Sequence, residues 1–267
     1  MKNIHAKINE NAVCKRASEP NGGHKCEIEH LPAWGRGSLM GCANYHARIR
    51  FDDGSVWLIR VPRINSSIPQ SLIDYFIRSE YATLKFLETT RVPAPRAFGY
   101  GIAGNKKNKA GVSYILMEEM AGNTWNLQGL HKKCFADDKD KESVWNGLVD
   151  ILIELQHHPF SKAGSLLPGP LPSEPIVSAV ASEQFLIQSP SGPFDTASDY
   201  YTSFVEQNMA LILSHLKILH PNPLHRSNRF KFKLHAAFLQ GSVLCLVGYL
   251  PRTAAYRLPL IGPLLMV

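Results

Sequence analysis

Residues 44 to 62, NYHARIRFDDGSVWLIRVP, restrict the fold more than any other stretch of the chain. Tyr45, Ala47, Ile49 and Phe51 alternate with His46, Arg48 and Arg50, and a period of two belongs to a strand with one buried face. DDGS is turn chemistry and VWLIRVP resumes an apolar run, so the two strands make a hairpin. SLIDYFIRSEYATLKFLETT then places Leu72, Tyr75, Phe76, Ser79, Thr83, Phe86 and Leu87 at three- and four-residue spacing, which predicts an amphipathic helix. Two prolines in VPAPRAFGYG stop it, and the polar GIAGNKKNKAG leads into a further strand, VSYILMEE. Strand, strand, helix, strand predicts an α+β class with a small antiparallel sheet.

A glycine-bearing link at Ala121–Gly122 ends this part, and mostly helical patterns follow. SVWNGLVDILIELQHH carries Trp145, Leu148, Val149, Leu152 and Leu155 along one side, and ASDYYTSFVEQNMALILSHL carries Tyr201, Phe204, Val205, Asn208, Ile212 and Leu216. Between them PFSKAGSLLPGPLPSEP reads as an extended surface segment. Residues 1 to 32 sustain no period and read as an irregular arm. The N-terminus has no apolar signal region, and five cysteines at irregular spacing (Cys14, Cys26, Cys42, Cys134, Cys245) do not make a disulfide framework, so a cytoplasmic setting is expected.

The net charge of +7 lies entirely at one end. Residues 1 to 214 hold 22 basic and 22 acidic side chains, whereas residues 215 to 267 hold seven basic ones and neither Asp nor Glu. This break predicts four parts: an arm over 1–33, a sheet-containing lobe over 34–121, a helical lobe over 122–214, and a tail over 215–267 foreign to the rest. Nucleic acid is not an expected partner.

Five ordered segments, NYHARIRFDDGSVWLIRVPR, SEYATLKFLETTRVPAPRAFGYG, YILMEEMAG, DILIELQHHPFSKAGSL and GPFDTASDYYTSFVEQ, resemble the aminoglycoside phosphotransferase family in its fungal branch. The resemblance implies a two-lobed, protein-kinase-like fold with an incomplete helical C-lobe, ATP as nucleotide, and Mg²⁺-dependent phosphoryl transfer to a small-molecule hydroxyl. It places Gly41 in a turn over the phosphates, where backbone N–H groups need close approach. Arg60 stands where kinases usually put a phosphate-binding lysine, with Glu80 as its orienting ion-pair partner. Arginine is a planar fork and not a point charge, so the phosphates would be held differently. The adenine edge would meet the backbone carbonyl of Glu118 and the N–H of Met120, with Met117 behind the base. The plainer reading of YILMEE is a strand that ends at the surface in solvated glutamates.

Phosphoryl transfer needs a carboxylate near the attacking hydroxyl and acidic ligands for magnesium. In the family these come from a His-x-Asp loop and a later Ile-Asp-Trp or Asp-x-Asp element, and both are missing after Ser214. His220 and Asn222 in HPNPLHRSN mimic the first, but an amide cannot act as a base. Asp195 and Asp199 are expected to cap a helix. No catalytic residue and no metal ligand is therefore assigned, the acceptor has no identifiable site, and the chain is expected to be an inactive member, a nucleotide- or partner-binding pseudoenzyme. An alternative has the basic and apolar residues 226–267 touching a membrane surface. Its apolar run, Ala236 to Leu250, is short of the roughly 20 residues of a membrane span. The tail also admits a reading as an incorrect or truncated end to the chain.

Remaining constellations have plain readings. Cys14, His24, Cys26 and His30 match no zinc spacing. His157 and His158 sit at a helix end, where a cation favours the dipole. Trp57, Trp125 and Trp145 lie in apolar segments and read as packing residues, and the lysines of NKKNK read as a solvated loop.

Overall fold

The computed structural model describes residues 4–31, 44–63, 69–120, 138–181 and 191–219. Gly41, Trp125, the Ala121–Gly122 link and the tail beyond residue 219 lie outside them.

The hairpin forms as the alternation requires. β2 (Asn44–Phe51) pairs antiparallel with β3 (Val56–Pro62), and Tyr45, Ala47, Ile49 and Phe51 are all buried on one face. Gly54 in the turn has φ +85°, a conformation open to glycine at little cost. Helix α2 (Gln70–Leu87) and strand β5 (Tyr114–Glu118) follow, and β5 pairs with β3. The class is α+β, built on an antiparallel sheet.

Two strands extend the predicted sheet. β1 (Cys26–His30) pairs with β2 on the outer side, and β4 (Ala97–Gly101) pairs with β5, giving the order β1-β2-β3-β5-β4. β4 follows two prolines and contains two glycines, which hid it. Gly101 is required by space, because a Cβ there would lie 2.3 Å from the Tyr114 ring. A register shift between Ala97 and Gly99 leaves Phe98 as an extra residue, stacked on Trp57 at 3.7 Å between ring centroids.

The expected irregular arm is corrected most. Residues 5–30 contain a 3₁₀ turn (His5–Lys7), helix α1 (Glu10–Ser18), a second 3₁₀ turn (Glu19–Asn21) and β1. Asn9 caps α1 by accepting from the Ala12 N–H at 3.2 Å, Glu10 opens the helix, and Lys15 and Arg16 close it, in keeping with its dipole. Its buried stripe is only Val13 and Ala17, too thin for periodicity to register. In β1, Glu27 and Glu29 stand opposite Arg50 and Arg48, a favourable cross-strand charge match.

The sheet thus has a helix on each face. Val13 and Ala17 pack with Tyr45, Ala47, Ile49, Ile59, Tyr114 and Leu116 on one side, while Ile77 and Leu84 of α2 pack with Ala97 and Ile115 on the other. Along α2 the buried residues are Leu72, Ile73, Ile77, Ser79, Ala82, Leu84, Phe86 and Leu87. The expected Tyr75, Phe76 and Thr83 are only half-buried, because the helix presents a slightly rotated face.

Helix α3 (Asp138–Gln156) forms where predicted, but its expected core stripe is outward. Trp145 is 65% exposed, and Val149 and Leu152 are exposed as well. What α3 buries is Glu154, which accepts from the Arg91 backbone N–H at 3.0 Å and Arg91 Nε at 2.9 Å, with His158 Nε2 at 3.3 Å. These contacts hold its carboxyl down to about 2. His158 therefore serves Glu154 rather than a helix end, and its ring meets Phe86 edge-on. The Pro- and Gly-rich segment contains a short ribbon, β6 (Ser165–Leu167) with β7 (Ile176–Ser178). Among the described residues, those up to Pro159 with Leu166–Ile176 form one compact unit, and Phe160–Ser165 with those from Val177 onward form a second. Helix α4 (Ala197–Leu219) belongs to the second. Thr196 accepts from the Asp199 N–H at 3.1 Å and donates to the Asp199 carboxylate at 2.7 Å, a reciprocal cap. Asp195 has no part in that cap and instead pairs with Lys162 at 3.0 Å.

Candidate functional site

The pleat decides which side chains share a face. His46, Arg48 and Arg50 of β2 point away from the buried row, and the pairings His46 with Arg60, Arg48 with Leu58, Arg60 with Ile115 and Leu58 with Met117 carry that face across β3 into β5. This is also the face on which α2 lies, so Arg60 meets the helix directly. Arg60 Nη1 donates to Glu80 Oε1, and the two side chains are 24% and 25% exposed. The Asn44 amide, oriented to satisfy both of its atoms, accepts from Arg60 Nε at 3.2 Å and Nη2 at 2.8 Å. Burial lowers the Arg60 pKa from its ordinary value, yet a guanidinium remains charged throughout the physiological range. The predicted Arg60–Glu80 pair is therefore present, with the fork held by a helix carboxylate on one side and a strand amide on the other.

Met117 is half-buried and packs with Tyr81 and Tyr100 against the α2 core. Tyr114 and Leu116 are buried on the α1 face of the strand and Ile115 on the α2 face. Past Glu118 the chain emerges, and Met120 is 51% exposed.

The two glutamates at the strand end are not solvated ornaments. The Glu118 N–H donates to the Arg96 carbonyl at 2.9 Å, and the Arg96 N–H donates back to Glu118 Oε2 at 3.1 Å. Glu119 turns the other way. Arg48 Nε donates to both of its oxygens at 2.9 Å and Nη2 to Oε1 at 2.6 Å. Successive residues are thus tied to opposite flanks of the sheet, one to the β4 side and one to β2. The Glu119 carboxylate also raises the Arg48 pKa above its ordinary value. Sequence reasoning missed Arg48, Asn44 and Arg96; the available signal was the basic outer row of β2 beside an unusual pair of carboxylates.

The remaining candidates do not converge. His24 pairs with Asp52 at 2.8 Å, and His30 joins Glu10 at 2.8 Å and the Tyr45 hydroxyl. Cys26 Sγ lies 3.6 Å from the Cys14 carbonyl, and both thiols are free. Burial pushes the Cys26 thiol and the Tyr45 phenol up to about 12. Among the described residues no group of three or more His, Cys, Asp or Glu side chains is arranged to hold a metal ion, and no helix is long and apolar enough to cross a membrane. The donors near Arg60 do not suit magnesium, since Glu80 is engaged by the guanidinium. Lys106, Lys107 and Lys109 are exposed, as a solvated loop requires.

Comparison of the chain with protein-family models, with curated proteins and with solved structures returned no match.

Proposed function

We propose that the chain is a kinase-like nucleotide-binding protein, resembling aminoglycoside phosphotransferases in plan, which holds an adenine nucleotide beside β3 and β5 without transferring its phosphate. The observation that carries this reading is the Arg60–Glu80 pair: a strand arginine, oriented by a helix carboxylate, opposite Ile115 and on the same sheet face as Met117, on the strand whose Trp57 stands opposite Glu118. A guanidinium so oriented is a bidentate phosphate donor. The order of strands and helix, with α2 between β3 and β4, supports the same plan. Absence of turnover follows from chemistry: transfer rests on carboxylates that place the acceptor and bind metal, and residues 215–267 contain no acid. A two-lobed arrangement and the ATP assignment belong to this proposal. No acceptor is assigned.

Thermal unfolding with and without ATP tests it, alongside a phosphate-release assay. At ATP about a hundredfold above Kd, ligand binding should stabilise the protein by about 2.7 kcal/mol. Arg60→Ala and Met120→Trp should each suppress the shift. An unshifted midpoint at saturating ATP overturns nucleotide binding. Phosphate transfer that disappears in Arg60→Ala overturns the claim of inactivity.

A further inference from the structure

We propose that Arg48 is a positioning residue for the nucleotide, acting through Glu119 to hold the Glu118–Met120 backbone in the conformation that receives the base. The inference rests on the nucleotide reading above and deepens it.

The geometry is specific. Arg48 lies on β2, opposite Leu58 on β3, which in turn lies opposite Met117 on β5. Its guanidinium therefore reaches across an intervening strand to a carboxylate two residues beyond Met117. The contact is three hydrogen bonds to one carboxylate, with the partners 26% and 22% exposed. The neighbouring Arg50–Glu29 pair is also close, 2.7 Å, but its side chains are 46% and 42% exposed. A sheltered fork-to-fork contact fixes direction as well as distance, whereas an exposed pair fixes little.

Glu118 completes the clamp. Its backbone N–H and carboxylate are both engaged by Arg96 on the opposite flank, so consecutive residues are restrained from two sides and the strand end cannot swing about its own axis. A base read by one carbonyl and one N–H, two residues apart, needs those groups at a fixed spacing. If the segment samples other conformations, apparent affinity falls by the fraction of time that it is competent. Glu119 also exposes no group to the base in this role. It faces Arg48, so its contribution is orientation and not contact.

The test uses the full chain with ATP as probe. Calorimetric titration and hydrogen exchange at residues 118–120 are measured for wild type, Arg48→Ala, Arg48→Lys and Arg50→Ala, with urea midpoints for each. Arg48→Ala should weaken ATP binding by about tenfold, on the scale of a segment competent about a tenth of the time. It should also speed exchange at 118–120 without ATP. Arg48→Lys, a point charge that cannot form the fork, should recover part of the affinity. Arg50→Ala should match wild type in both readouts. Wild-type ATP affinity in Arg48→Ala, or unchanged exchange at 118–120, overturns this role alone. A wild-type chain that binds no ATP overturns the nucleotide reading, and this role with it.

Discussion

Replacing Val13 with alanine asks whether the N-terminal helix is part of the core. Val13 is fully buried, on α1, against the face formed by β2, β3 and β5. Loss of two buried carbons costs about 1.6 kcal/mol at about 0.8 kcal/mol each. A residual cavity of about 40 Å³ adds about 1 kcal/mol at about 24 cal/mol per Å³. Alanine returns about 0.5 kcal/mol through its better helix propensity, leaving a net loss of about 2 kcal/mol. The matched control is Val144→Ala on α3, where the valine is 47% exposed, and its net effect should stay within about 0.5 kcal/mol. Urea unfolding followed by far-UV circular dichroism should resolve the two, and in a thermal melt Val13→Ala should lose about 4–8 °C. Equal midpoints for the two variants would refute α1 as a core element and restore the irregular arm.

Glu154→Gln should destabilise the chain at neutral pH by weakening the acceptor of Arg91. Because the folded carboxyl is held at about 2, its contribution is present above the ordinary carboxylate range and is lost as pH falls toward 2; the gap between wild-type and variant urea midpoints should close across that acidic window. Gly111→Ala should cost more than Gly54→Ala in thermal melts. Both glycines have positive φ, worth about 1–2 kcal/mol to an L-residue, but a Cβ at 111 would also lie 2.5 Å from the Lys7 carbonyl oxygen, while at 54 nothing lies within 4 Å. Ser113→Ala should lose about 1–3 kcal/mol in urea, since the buried hydroxyl accepts from the Ala103 N–H at 2.9 Å and donates to Asp74 at 2.9 Å.

What the sequence made legible follows from how strongly each element signals itself. The β2–β3 hairpin and α2 announce themselves by long periods and β5 by a short apolar run, while the pairing of Arg60 with Glu80 is implied by the family resemblance. α1 does not, because its buried stripe is only Val13 and Ala17, and Asn9, Glu10, Lys15 and Arg16 were the only cues to its ends. β1 carried a readable alternation in Cys26, Ile28 and His30 against Glu27 and Glu29, but it is short and lies beyond a glycine pair. β4 failed for the opposite reason, since its glycines look like a loop while Gly101 is needed for close packing. The roles of Glu118 and Glu119 were out of reach because partners 22 and 71 residues away in the chain are set by register, and register is a property of the assembled sheet.

The seating of α1 also sets an order of events. Its two buried residues leave the ribosome before the strands, yet the surface they cover includes Tyr114 and Leu116, which arrive about a hundred residues later. Until then its seat is only partly built, from β1, β2 and β3, and nine residues are too few to hold helical structure unaided. The helix is therefore a closing piece that must wait for its socket to be completed. A nascent chain stopped before β5 would carry seven apolar strand positions, Tyr45, Ala47, Ile49, Phe51, Trp57, Ile59 and Val61, with their cover already made and its socket incomplete.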